Sequence, residues 1–155
     1  MELSEAARRL LSDAVLNEKR VAGTRHTLRE VIEPVVRECD ALVREEADQE
    51  GALAACVREV LEHIAYAASS LRDLHAREPP ERLPEVKRAA LSSAEFRKTL
   101  NGRSLAELAE PLFNACEEAV RARAAEKPSA AYLLVCASSV ATFVRAYLDA
   151  QAWGG

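Results

Sequence analysis

The sequence predicts an all-α fold, a helical bundle of about six helices arranged as two pseudo-symmetric three-helix halves. Three observations carry that expectation. Ala, Leu, Glu and Arg dominate the 155 residues, and these are strong helix formers. Gly (5) and Pro (6) are too few to punctuate a fold of many short strands. Apolar residues recur at helical spacing along most of the chain.

A single helical domain over 1–155 is expected, with a candidate internal repeat of 1–78 and 79–155, because the length is near the commonest size for one domain. Hydrophobic residues at 49% and charged residues at 30% make a globular balance. The net charge of −4 argues against nucleic acid as a partner, since binders of phosphate backbones carry a positive excess. Met1 to Leu16 mixes charged and apolar residues and does not read as a signal peptide. The most apolar stretch, Ala130 to Val144, is about 15 residues long and is interrupted by Ser138, Ser139 and Thr142, so a buried helix is expected there and no membrane span. Cys39, Cys56, Cys116 and Cys136 show no CxxC spacing. They are expected to be reduced core residues in a cytoplasmic or other reducing compartment.

Taken in order, the first helix is expected from Ser4, an N-cap, to about Arg20, ended by Gly23. A second begins near Thr24 or Thr27 and reaches about Ala47, with Pro34 expected to kink or split it. A third, from about Gly51 to His75, repeats Leu53, Val57, Val60, Ile64, Ala67, Leu71 and Leu74, the seam of an antiparallel bundle helix. Pro79 and Pro80 stop it, and the stretch to Pro84 is linker-like. Two short pieces follow to Leu100, with a capping box of Ser92 and Glu95 between them, and Asn101-Gly102 breaks the chain. Ser104 with Glu107 opens the fifth helix, and Pro128 with Ser129 opens the last, which runs to about Ala152.

The chain also resembles itself. At an offset of 77, the ten residues from Thr27 to Val36 lie over those from Ser104 to Phe113, with Pro34 over Pro111, and the match continues with Cys39 over Cys116 and Arg44 over Arg121. At an offset of 80, Leu11-Ser12-Asp13-Ala14 lies over Leu91-Ser92-Ser93-Ala94, and Cys56, Val60 and Ile64 lie over Cys136, Val140 and Val144. Shared amphipathic spacing explains matched Leu and Val. It does not explain a shared mid-helix proline followed five residues later by a shared cysteine.

Three constellations could carry chemistry. Glu30/Glu33, Glu59/Glu62 and Glu107/Glu110 are ExxE pairs, and two such pairs on neighbouring helices can hold Mg²⁺. The layout of Glu30 and Glu33 followed by Glu59 and Glu62 resembles that of the all-α nucleotide pyrophosphohydrolases of the MazG type, which implies a metal site on those four carboxylates. Glu62 stands where that family has Asp, and Pro34 follows the first pair where Leu is usual. At roughly 100° per residue from Leu28 and from Leu53, Glu30 and Glu33 fall near 200° and 140°, and Glu59 and Glu62 near 240° and 180°, away from the apolar stripe. A solvated helix face is therefore the expectation for them.

His63, followed by small residues, resembles the phosphorylated histidine of phosphotransfer domains. Those domains want Lys three and Gly four residues on, where this chain has Tyr66 and Ala67. The cysteines could converge on a zinc site, but none has the two-to-four spacing of structural zinc ligands. No Gly-rich phosphate loop, nucleophile elbow or HExxH occurs. Trp153 near the end of the last helix either folds onto the bundle or anchors a partner.

The expected function is non-enzymatic contact with other proteins, as an adaptor or an assembly subunit, with no cofactor and with a homo-oligomer or larger assembly among the expected partners. The first alternative is the Mg²⁺-dependent nucleotide pyrophosphohydrolase. The second is a binder of a small apolar ligand between the two halves.

Overall fold

The computed structural model describes residues 2–75, 83–123 and 130–151. Helices α1 (Glu5–Leu11), α2 (Ala14–Glu18), α3 (Leu28–Leu42), α4 (Gln49–His75), α5 (Leu83–Leu91), α6 (Leu105–Arg123) and α7 (Ala130–Ala150) follow in order, with a 3₁₀ turn at Ala94–Phe96. Strands β1 (Thr99–Leu100) and β2 (Arg103–Ser104) pair as a short antiparallel hairpin, the one sheet among the described residues. The fold is an all-α helical bundle.

Several helix starts have a local cause. Ser4 Oγ accepts from Ala7 N at 3.2 Å, and Thr27 and Ser104 hydroxyls accept from Glu30 N and Glu107 N at 3.2 and 3.1 Å. Expected and observed boundaries differ in places. The first helix is broken, because Asp13 Oδ1 accepts from Val15 N and Leu16 N and starts α2. Of the two expected starts for the second helix, Thr27 is the one used, while the Thr24 hydroxyl donates to Val21 O at 2.8 Å and accepts from His26 N, closing a turn. Ser93, not Ser92, stands at the start of the short turn after α5, with its hydroxyl donating back to Ala90 O at 2.6 Å rather than capping the turn. Pro34 does not split the second helix, since α3 runs through it, as α6 runs through Pro111. Asn101 (φ 52°) and Gly102 (φ 83°) form the left-handed pair that a tight hairpin needs, so the expected chain break is an ordered β-turn.

One apolar cluster joins all seven helices. Phe96 and Phe113, both fully buried, meet edge to face at 5.4 Å between ring centroids. The longest contact is α4 along α7. Ser69 Oγ lies 2.8 Å from Ser138 Oγ, Glu62 Oε2 3.7 Å from Arg145 Nε, and Arg58 Nη1 3.8 Å from Asp149 Oδ1, which makes the two helices antiparallel. Helices α3 and α6 also pack on each other, and each packs on the long helix that follows it.

Pro34 and Pro111 are each the seventh residue of their helices. Residues 28, 31, 32, 35, 36, 39 and 43 are buried, and so are 105, 108, 109, 112, 113, 116 and 120, the same positions displaced by 77. Leu11 ends α1 and Leu91 ends α5, and Asp13 and Ser93 stand at the N-cap positions of the turns that follow, where only the Asp13 side chain makes the capping bonds.

Candidate functional site

Antiparallel helices bring together residues equidistant from the turn between them. Cys39 on α3 and Cys56 on α4 lie 17 residues apart on either side of the 43–48 turn, and they form a disulfide with a Cα–Cα distance of 5.7 Å. This corrects the expectation that Cys39 and Cys56 are reduced, and with it the ground given for a reducing compartment. The expectation rested on local spacing, CxxC, whereas the helical hairpin supplies the proximity. Cys116 on α6 and Cys136 on α7 flank the α6–α7 connection in the same manner, and both are thiols. Cys116 is buried and Cys136 half-buried. A hydrogen bond with Cys136, then desolvation, push the Cys116 thiol far above its ordinary range.

The carboxylate pairs face outward. Glu30 lies 3.2 Å from His26 Nδ1, and Glu33 lies 3.6 and 3.2 Å from Arg29 and Arg37. Glu59 lies 3.8 Å from His63, and Glu62 reaches Arg145 on α7. Each of the four thus has a cationic or histidine neighbour, and the pairs on α3 and α4 do not converge. Among the described residues no group of three or more His, Cys, Asp or Glu side chains is placed to hold a metal ion. His63 is exposed on α4 beside exposed Tyr66. Trp153 lies outside the described residues, as do Pro128 and Ser129. A polar depression of about 450 Å³ is lined by Leu3, Arg8, Leu11, Ser12, Asn17 and Arg29, at the α1–α3 end of the first half rather than between the halves.

The face that stands out was not read from the sequence as a face at all. On α4 the outward row is Ala55, Glu59, Glu62, His63 and Tyr66. On α7 the row displaced by 80 is Val135, Ser139, Thr142, Phe143 and Ala146, all exposed and none charged, with exposed Tyr132 one turn before it. Tyr132 and Tyr66 are 62% and 74% exposed, values at which an aromatic ring is mostly in water. Lys19 Nζ sits 4.3 Å from the centroid of the Phe143 ring and bounds the row on the α2 side.

By length and composition α7 could cross a membrane: Ala131–Ala150 has mean hydropathy 1.5, with a third of it buried. The uncharged run itself ends at Val144, as the sequence shows, and the longer stretch takes in two charges, Arg145 and Asp149.

No protein-family model matches the chain, and no curated protein and no solved structure matches it significantly.

Proposed function

We propose that the protein is a non-enzymatic assembly subunit that binds a second copy of itself through the outer face of α7, flanked by α4. The observation that carries this reading is the uncharged outward row of α7 where the corresponding row of α4 holds Glu59, Glu62 and His63. A solvated helix face has no need to lose its charges over about four turns.

The row is self-complementary about Ser139. In an antiparallel pair of α7 helices, Val135 meets the partner subunit's Phe143, and Tyr132 meets the partner subunit's Ala146. Large residues thus oppose smaller ones, and the small Ser139 lies at the two-fold axis, where helices must approach closely. Two helices of about 20 residues, side by side, cover roughly 30 by 20 Å, so two such faces bury about 1,200 Å² in total. That is the lower end of what a specific interface needs.

Sedimentation of the wild type and of Ser139→Arg at tens of micromolar tests the proposal. Ser139 is exposed, so the substitution leaves the fold intact, which circular dichroism checks. A dimer that becomes a monomer in the variant supports the reading. A wild-type monomer, a dimer indifferent to the variant, or flotation of the wild type with phospholipid vesicles overturns it.

The two halves are proposed to be copies of one duplicated unit. The matched positions of Pro34 and Pro111 within their helices, and the matched burial along α3 and α6, support this. An experimental structure with these prolines in unrelated environments would overturn it.

A further inference from the structure

We propose that Cys116 and Cys136 are a thiol–disulfide exchange site, which a low-molecular-weight disulfide oxidises to a second inter-helix bridge joining α6 to α7. The two thiols are already in contact across the helix pair. Their places in the fold match those of Cys39 and Cys56: one residue on the shorter helix and one on the long helix after it, on either side of a short connection. Exposure matches as well, since Cys39 and Cys116 are fully buried while Cys56 and Cys136 are half-buried. What the first hairpin does with this arrangement is form a disulfide.

The exposures set the order of events. Cys136, the accessible member, loses its proton and attacks one sulfur of the incoming disulfide, forming a mixed disulfide and expelling the first thiolate, which takes up a proton. Cys116 then loses its proton and attacks the Cys136 sulfur. The Cys116–Cys136 bond forms, the mixed bond breaks, and a second small thiol leaves protonated. Two protein thiols are oxidised by two electrons, and one external disulfide is reduced to two thiols. Burial holds Cys116 in its protonated form, so the second step quickens as pH rises.

The test uses the folded full-length chain, with and without oxidised glutathione. Samples are denatured in an alkylating reagent and analysed by mass spectrometry and peptide mapping. Untreated protein should take two alkyl groups, on Cys116 and Cys136, and treated protein none, with a peptide linking those two residues. In Cys116→Ala, treatment should leave glutathione attached to Cys136. In Cys136→Ser, Cys116 should remain alkylatable, because no accessible thiol starts the exchange. The proposal is overturned if wild-type Cys116 and Cys136 both stay alkylatable while the same oxidant modifies the unfolded chain. It is equally overturned if glutathione persists on wild-type Cys136, or if Cys116 links to Cys39 or Cys56. The second variant keeps the test decisive should Cys116→Ala fail to fold.

Discussion

His26 and Arg103 hold corresponding positions, each one residue before the N-cap of a central helix, and each reaches across to the other half of the molecule. His26 Nε2 lies 2.8 Å from Glu118 on α6, and Arg103 Nη1 donates to Glu38 on α3 at 3.2 Å. Each also meets the acid four residues on: Glu30 for His26 and Glu107 for Arg103. The loops before α3 and α6 are thus pinned reciprocally, where the two helices pack against each other. The pairs are solvent-exposed, so they fix the loops more than they stabilise the fold.

Asp40 is the buried polar anchor of the first half. Its carboxylate, 1% exposed, accepts from Ser4 N at 2.9 Å, from the Ser4 hydroxyl and from Arg44 at 3.1 Å. It fixes the N-cap of α1 against α3. Asp40→Ala should cost about 2–3 kcal/mol, because the Ser4 and Arg44 donors lose a shared charged acceptor. Ser4→Ala should cost about 1 kcal/mol, the usual loss at a cap. Urea unfolding of both variants checks the ranking, and equal losses would mean that the cost of burying the Asp40 carboxylate offsets most of what its bonds contribute.

The Cys39–Cys56 bridge should be the largest single contributor that chemistry can remove. Closing a loop of 17 residues stabilises by about 3 kcal/mol in the chain-entropy account. For a domain of this length that is a shift of roughly 10 °C. Thermal unfolding with and without reductant should show it, and Cys56→Ala should unfold at the lowered temperature in both conditions.

The helical class was legible because Ala, Leu and spaced apolar residues act locally, and the outward direction of Glu30, Glu33, Glu59 and Glu62 followed from helix arithmetic alone. What escaped depends on the chain meeting itself. Asp13 reads as one more polar residue in an amphipathic stretch until its carboxylate is seen capping α2 while accepting from Tyr147, 134 residues away. The disulfide needed the geometry of the α3–α4 hairpin. The bare face of α7 could be seen in the sequence only by comparing it with α4 position by position, because taken alone an apolar helix reads as core.

Alkaline pH should weaken the contact between α7 and α2. Tyr147 Oη donates to Asp13 Oδ1 and Oδ2 at 2.8 and 2.9 Å, and desolvation, followed by this hydrogen bond, pushes its pKa up to about 12. In the unfolded chain the phenol ionises near 10. The folded state therefore favours the neutral form. Its stabilisation is complete below about pH 10 and is lost as pH rises from there to 12. Tyr147→Phe should cost about 1 kcal/mol at neutral pH and flatten that alkaline decline. An unchanged slope between pH 10 and 12 in the variant would assign the decline to other groups.

The ExxE carboxylates give the last expectation, which sets the pyrophosphohydrolase reading against the bundle. Glu30 and Glu33 pair with His26, Arg29 and Arg37 on their own exposed surface, so Glu30→Gln with Glu33→Gln should change stability by less than about 1 kcal/mol. A metal site would behave otherwise. Relief of repulsion among four carboxylates would stabilise the metal-free protein, and any response to Mg²⁺ would vanish with the substitutions. Mg²⁺ at a hundred times its dissociation constant would stabilise the wild type by about 2.7 kcal/mol, several degrees in thermal unfolding. The expected outcome is the same midpoint for wild type and double variant, with and without millimolar Mg²⁺. A rise confined to the wild type would mean that carboxylates now turned toward His26, Arg29 and Arg37 can converge with those of α4 when metal is supplied, and the non-enzymatic reading would fall.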